Sequence, residues 1–203
     1  MESIELDLPS ECGVMLLGGT ALFPHSSMDL HIFENRYRAM LRQCIEGSFM
    51  FAMGTLYEPE DQPYESCVSP IGTIGLIKVS RSLKDGCSNI ILTGIKPVRF
   101  EQWIDESPYP KAIISEVERD EIDPYEAKTI RSLIIDSVPD HLTHLPSEIH
   151  DSVMEEFRSI ENLTALIDSI SHNFIADSDL RYELLAETND SNRASKLLSA
   201  LSL

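Results

Sequence analysis

Positive charge is scarce in this 203-residue sequence: 16 Lys and Arg stand against 34 Asp and Glu, a formal charge of −18. A surface so acidic repels phosphate backbones and anionic lipid at long range, so neither nucleic acid nor membrane is an expected partner. Long hydrophobic runs are missing as well. No stretch approaches the roughly 20 apolar residues of a membrane-spanning helix. The opening Met1-Glu2-Ser3-Ile4-Glu5-Leu6-Asp7 is acidic where a secretory signal is basic, so a cytoplasmic chain is expected. Only four cysteines occur, Cys12, Cys44, Cys67 and Cys87, none in a Cys-x-x-Cys pair. That excludes a disulfide framework and a zinc knuckle and leaves reduced packing residues.

Catalytic devices are absent too. Gly18-Gly19-Thr20 lacks the lysine and the following helix pattern of a phosphate loop, and there is no Gly-x-Ser-x-Gly elbow. His141 and His144, with His150 and the acids Asp140, Glu148 and Asp151 nearby, form the most metal-like grouping. Pro139 and Pro146 bracket it, however, and break the helix that would align the imidazoles, so a solvated connection is the expected reading. His31 and Glu34 could pair as acid and base. A helix-capping Glu34 with an ion pair to Arg38, four residues on, is the simpler expectation. No cofactor is expected.

With 42% hydrophobic residues the chain has ample material for a core, and its periodicity changes near residue 120. Residues 1–119 read mostly as strands: Cys12 to Leu17, Met28 to Phe33, the doubly apolar Phe49 to Tyr57, Ile71 to Val79, Asn89 to Ile95, Val98 to Ile104 and Lys111 to Val117. One helix interrupts them, Glu34 to Glu46, with Tyr37, Met40, Leu41, Cys44 and Ile45 at helical spacing and Gly47 expected as its left-handed cap. Asp85-Gly86 predicts a tight hairpin. Residues 120–203 read as helices. Asp123-Pro124 supplies the first start signal. The first apolar stripe is Ala127, Ile130, Leu133 and Ile134; after Pro146 follow Ile149, Val153, Phe157 and Ile160, then two or three shorter helices. Six or so short strands with one pinning helix suggest a small barrel, because closure removes exposed edges.

Aromatic residues beside the turns are the candidate anchors for a binding partner. Tyr57 and Tyr64 flank the acidic loop Glu58-Pro59-Glu60-Asp61-Gln62-Pro63, and Trp103 and Tyr109 flank the Pro108-Tyr109-Pro110 turn; Phe23 and Met28 are apolar alternatives.

Leu22-Phe23-Pro24 followed by Leu30-His31-Ile32-Phe33-Glu34-Asn35-Arg36-Tyr37 resembles the strand-to-helix signature of the Lon protease amino-terminal domain, especially its stand-alone bacterial versions. Ile71-Gly72-Thr73, Leu83-Lys84-Asp85-Gly86, Leu92-Thr93-Gly94 and Val98-Arg99-Phe100 follow in the family's order. Leu166-Ile167-Asp168, Arg181-Tyr182-Glu183-Leu184-Leu185-Ala186-Glu187 and Arg193 look like its C-terminal helices. Gly18-Gly19, Asp29 and Pro97-Val98 depart from its usual residues and put only local strand geometry in question.

The resemblance implies an α+β fold, a PUA-like β pseudo-barrel with one pinning helix followed by a C-terminal helical bundle. It implies no ATP or peptide hydrolysis, since the ATPase motor and Ser-Lys peptidase motifs are missing. The implied role is non-catalytic binding of protein or peptide clients, exposed or unfolded segments above all, in association with a protease. Two alternatives stand beside it. PUA-like barrels elsewhere bind RNA, and a small-molecule enzyme could use the barrel-to-bundle cleft with His31 or the His141/His144 pair.

Overall fold

The computed structural model describes residues 7–58, 62–104, 108–143 and 145–202. Six strands run through the first half: β1 (Glu11–Gly18), β2 (Ser27–Ile32), β3 (Met50–Leu56), β4 (Ile71–Ser82), β5 (Ser88–Trp103) and β6 (Lys111–Glu116). β1 pairs in parallel with β3 (Val14 with Ala52), then β3, β4, β5 and β6 pair antiparallel in turn, and β6 returns to β1 through Cys12 and Ala112. Five strands thus close a ring. β2 hangs outside it on the first half of β5 (Ser27 with Thr93, Ile32 with Ser88).

The two strands expected on either side of Pro97 are one strand of 16 residues. Along one side, β5 pairs with β2 as far as Thr93 and with β6 from Val98 onward. Pro97 falls between the two partners, where its missing N–H costs no ladder bond. The hairpin between β4 and β5 is looser than a two-residue turn. Only Gly86 takes a positive φ, 83°, and Asp85 instead accepts from the Cys87 amide at 3.0 Å.

α1 (Asn35–Glu46) buries Tyr37, Met40, Leu41 and Cys44 against β1 and β3, in a cluster that residues of β2 and β5 complete, as the helical spacing requires. Two local expectations change. Gly47 has φ −126° and the left-handed residue is Phe49, φ 59°. Glu34 makes no side-chain cap bond; it accepts from Arg36 Nε at 2.9 Å, so the pair with Arg38 does not form. In the following loop, α2 (Tyr64–Cys67) is a single turn.

The helical half comprises α3 (Pro124–Ser137), α4 (Ser147–Ser159), α5 (Leu163–Phe174), α6 (Ser178–Ala186) and α7 (Asp190–Leu201), with a 3-10 turn at Pro139–Leu142. Asp123 caps α3 by accepting from the Tyr125 and Glu126 amides. Side-chain direction differs from the expected stripes at two places: Ile135 is buried while Leu133 is exposed, and Met154 is buried while Ile149 is exposed. Among the described residues no helix is long and apolar enough to cross a membrane.

One apolar cluster joins the helices to the sheet half through Ala21, Phe23, Ile71 and Val117. Gly94 makes that junction possible. A Cβ there would meet the Phe23 carbonyl oxygen at 2.2 Å, so only glycine lets the loop before β2 lie directly on β5. Arg181 of α6 then stitches the loop to the helices, donating to the carbonyls of Ala21 (2.8 Å), Ile175 (2.9 Å) and His172 (3.0 Å), its guanidinium over the Phe23 ring at 5.3 Å.

His172 contributes a pH dependence at the same junction. Arg181 Nη2 can only donate, so His172 Nδ1, 3.5 Å away, is the unprotonated nitrogen. Burial and the Arg181 charge lower the His172 pKa, against a smaller opposing effect of a hydrogen bond to the Ser27 backbone. Because the folded value lies below the unfolded one of about 6.5, the unfolded chain takes up the proton first on acidification. The His172 contribution is therefore whole above pH ~6.5 and is lost as the pH falls through the folded value. In urea titrations across this window, His172→Gln is expected to flatten the acid-side decline; an unchanged slope would remove His172 as its cause.

Deeper in the helical half lies a charged core. Arg193, without solvent exposure, donates to the Asp168 carboxylate, to Asp190 Oδ1 at 2.8 Å and to the Leu184 carbonyl at 2.8 Å. Asp190 also accepts from Thr164. Arg119 reaches in from the last sheet connection to the carbonyls of Leu185 (3.0 Å) and Glu187, and burial together with Arg193's charge brings its pKa down to about 10. Asp168, Arg181 and Arg193, quoted above as family motifs, are thus structural residues here.

Candidate functional site

β2 is the strand whose far side has no sheet partner, since β5 pairs with it on one side only among the described residues. Alternation sets its faces. Leu30 and Ile32 are buried toward α1, with Met28 half-buried beside them, whereas Ser27, Asp29 and His31 are exposed on the other face. The neighbouring strands continue that outer face through Asn89 and Ile91 of β5 and Val79 and Arg81 of β4, register-paired as Val79 with Ile91 and Arg81 with Asn89. These residues, with Asp29 and His31, line a shallow depression of about 460 Å³.

The chemistry of this face is mixed apolar and polar. Phe33 is 60% exposed and stacks on His31 with ring centroids 5.9 Å apart; Val79 is 50% exposed. His31 Nδ1 donates to Asn89 Oδ1 at 2.7 Å, and Glu34 is held by Arg36, so these two groups do not join as acid and base. The Ser27 backbone at the start of the strand is bonded by His172, but beyond it the edge has no strand partner, and alternating side-chain positions beside it supply contact area. The arrangement suits an added strand better than a reacting small molecule.

A second concavity, about 400 Å³, lies at the junction of the two halves between Gly19, Leu56, Tyr57, Pro70 and Tyr182. Tyr57 is 55% exposed there. Burial raises the Tyr182 pKa, with Tyr57 acting in the same direction and Arg99 against it.

The six anchors expected from sequence fall in different places. Tyr57 stands in the junction groove and Met28 on the edge strand. Phe23, Trp103 and Tyr109 are buried. Phe23 belongs to the junction core, Trp103 packs on Phe100 (5.1 Å) and on half-buried Tyr64 (4.7 Å) in the cluster with Val14, Ala52 and Val98, and Tyr109 belongs to the cluster under α1, its hydroxyl donating to Oε1 of exposed Gln43. Position beside a turn does not reveal on which side of the barrel wall a ring lies. Phe33, Val79, Ile91 and Tyr182 were not singled out. For Phe33 a signal existed: it continues the phase of Ser27, Asp29 and His31, an apolar residue in an outward series.

The histidine grouping separates. His141 Nε2 donates to the Leu201 carbonyl at 2.7 Å and its ring meets Phe174 edge-on, while His150 is paired with Asp151 at 3.2 Å; His144 lies outside the described residues. Among the described residues no three His, Cys, Asp or Glu side chains are placed to share a metal ion. The four cysteines are free thiols. Burial pushes Cys12 up to about 12 and Cys44 up to about 11, which keeps both as unreactive thiols at neutral pH.

Comparison with known proteins follows the same lines. The profile of the ATP-dependent protease La (LON) substrate-binding domain matches residues 11–202. Lon protease of Desulfosudis oleivorans is 24% identical over 191 residues, covering 90% of this chain and 22% of that protein, and Lon protease of Clostridioides difficile is 21% identical over 99% of this chain and 26% of its own length. The chain thus spans about a quarter or less of the curated relatives it matches. Among solved structures, the N-terminal domain of Mycobacterium avium complex Lon protease superposes with a TM-score of 0.76 at 14% identity, over 95% of this chain and 98% of that one. A Lon N-terminal domain protein from Xanthomonas campestris gives 0.66 at 18% identity, over 94% and 98%.

Proposed function

The chain belongs to the Lon substrate-binding domain family, and on that premise we propose that it holds exposed or unfolded polypeptide segments along the free edge of β2 without transforming them. The family ties it to substrate recognition in proteolysis. The observation that carries the finer reading is the unpaired edge of β2 beside exposed Phe33 and Val79. An extended client adds its backbone to that edge, and its alternate side chains rest on Phe33, Val79 and Ile91. A protease is the partner this proposal assigns to the chain. Neither catalysis nor a cofactor enters the reading.

The test is fluorescence anisotropy with a labelled, permanently unfolded casein. Phe33→Asp and Val79→Glu change exposed side chains and are expected to leave the circular dichroism spectrum intact. Each should weaken casein binding about tenfold, equivalent to ~1.4 kcal/mol. Parent protein that ignores casein, or variants that bind it as well as the parent, would defeat the proposal. Single-stranded RNA run in parallel separates the RNA alternative, since its binding alone would favour that class.

A further inference from the structure

The helical half holds a basic cavity in an acidic protein. Lys128 and Arg131 stand three residues apart on α3, hence on one helix face, and Arg158 lies in the last turn of α4. All three line a cavity of about 680 Å³ together with Ile122, Ala127 and Leu163. That volume lies within the range of ordinary ligand sites.

Three other lysines have carboxylate partners, Lys111 with Glu11 at 2.6 Å, Lys196 with Glu183 at 2.8 Å and Lys96 with Glu116, whereas Lys78 and Lys84 have no ion pair with a described residue. Yet with 34 acids in the chain, none of the three cavity cations makes an ion pair with a described residue. Arg131 is also fixed in position, donating from Nε to the Ile160 carbonyl at 2.8 Å and from Nη2 to that of Arg158 at 2.5 Å. Its guanidinium is therefore ordered at the wall before any ligand arrives. The amino end of α5 opens into the same space at Leu163 and Thr164 and adds the positive end of a helix dipole. Two acids line the cavity. Asp190 is bonded by Arg193 at 2.8 Å, a cation it shares with Asp168, and Glu161 is exposed to solvent, so the three cations face one partly compensated and one solvated carboxylate.

We propose that this cavity takes a carboxylate carried on an apolar peptide, namely the free C-terminus of an extended chain ending in small apolar residues. The carboxylate meets Lys128, Arg131 and Arg158, and the adjoining side chains cover Ile122, Ala127 and Leu163. A polyanion fits worse, because the net charge of −18 repels many phosphates at once whereas three local cations suffice for one carboxylate. The proposal rests on the polypeptide-binding reading for the kind of ligand but places it on a different surface from the β2 edge.

The experiment compares two fluorescein-labelled hexapeptides of alternating Ala and Leu, one ending in a free carboxylate and one in a carboxamide. The acid is expected to bind at least about tenfold more tightly than the amide, with a preference that shrinks in high salt. Lys128→Glu/Arg158→Glu, at two exposed positions, should abolish the preference while leaving the melting temperature and casein binding as in the parent. Phe33→Asp should do the reverse, losing casein and keeping the preference, so the two readings fail separately. Equal binding of the two peptides, a charge-reversed variant that retains the preference, or a site filled by millimolar inorganic phosphate while ignoring both peptides would overturn the proposal.

Discussion

Arg193→Ala is expected to destabilise the protein by about 3–5 kcal/mol, enough to leave a domain of ordinary stability marginal or unfolded. The arginine and Asp168 have no solvent exposure, and Asp190 is buried as well. Removing the guanidinium strands two carboxylates in a medium that cannot solvate them and leaves the Leu184 carbonyl without its donor. The loss should exceed by several-fold that of Lys196→Ala, which breaks only the exposed pair with Glu183. Urea denaturation of both variants measures the contrast. In a double-mutant cycle, Arg193→Ala with Asp168→Ala should cost clearly less than the sum of the single changes, because the second removes a charge the first has orphaned. Additive losses would mean that the buried charges do not act as a unit.

Phe23→Ala is expected to cost a similar ~3–5 kcal/mol, from a lost ring and the cavity left behind. The ring is wholly buried where the loop before β2 meets the helices, and Arg181 lies over it while bonding the Ala21 carbonyl. Phe23→Leu should recover much of the loss, since volume matters more than the ring's identity. The same variants decide the residue's role. Were Phe23 a client anchor, Phe23→Leu would weaken casein binding in a protein of near-parent stability; the structure gives the opposite expectation, lowered stability with casein affinity kept once folded. Thermal melts and anisotropy on the same samples separate the two.

Much of the architecture was legible in the residues. The stripe Tyr37, Met40, Leu41, Cys44 demanded a buried helix face, and the doubly apolar β3 demanded a central strand buried on both faces; it lies between β1 and β4, with Phe51 and Met53 in the cluster under α1 and Met50 and Ala52 in the cluster on its other face. Asp123-Pro124 marked the start of α3 to the residue. Local rules misled where a tertiary partner intervened. Pro97 reads as a strand break, yet β5 continues through it because its neighbours change there. Leu133 and Ile149 read as core, yet Ile135 and Met154 occupy the interior, because the helices' neighbours decide which side of a helix faces inward.

The candidate surfaces were less legible, and the reason is directional. Phe23, Trp103, Tyr109 and Tyr57 all border loops or turns, and nothing local distinguishes the three buried rings from the one in the open groove. The basic cavity was invisible in the sequence. Lys128, Arg131 and Arg158 are separated along the chain and diluted by 34 acids, and only the packing of α3 against the end of α4 brings them to one wall.

Composition and periodicity by themselves determined a strand-rich first half, a helical second half and an acidic surface, and the order of the quoted motifs carried the resemblance to the family, because each is written in residue order and needs no distant partner. A small barrel was already suggested by the strands, but which strands close the ring, the edge of β2 left without a strand partner, the ion-paired core around Arg193 and the gathering of three cations at one wall were decided by tertiary structure. Each depends on which distant segments come to lie side by side, and on which charges that contact strips of water.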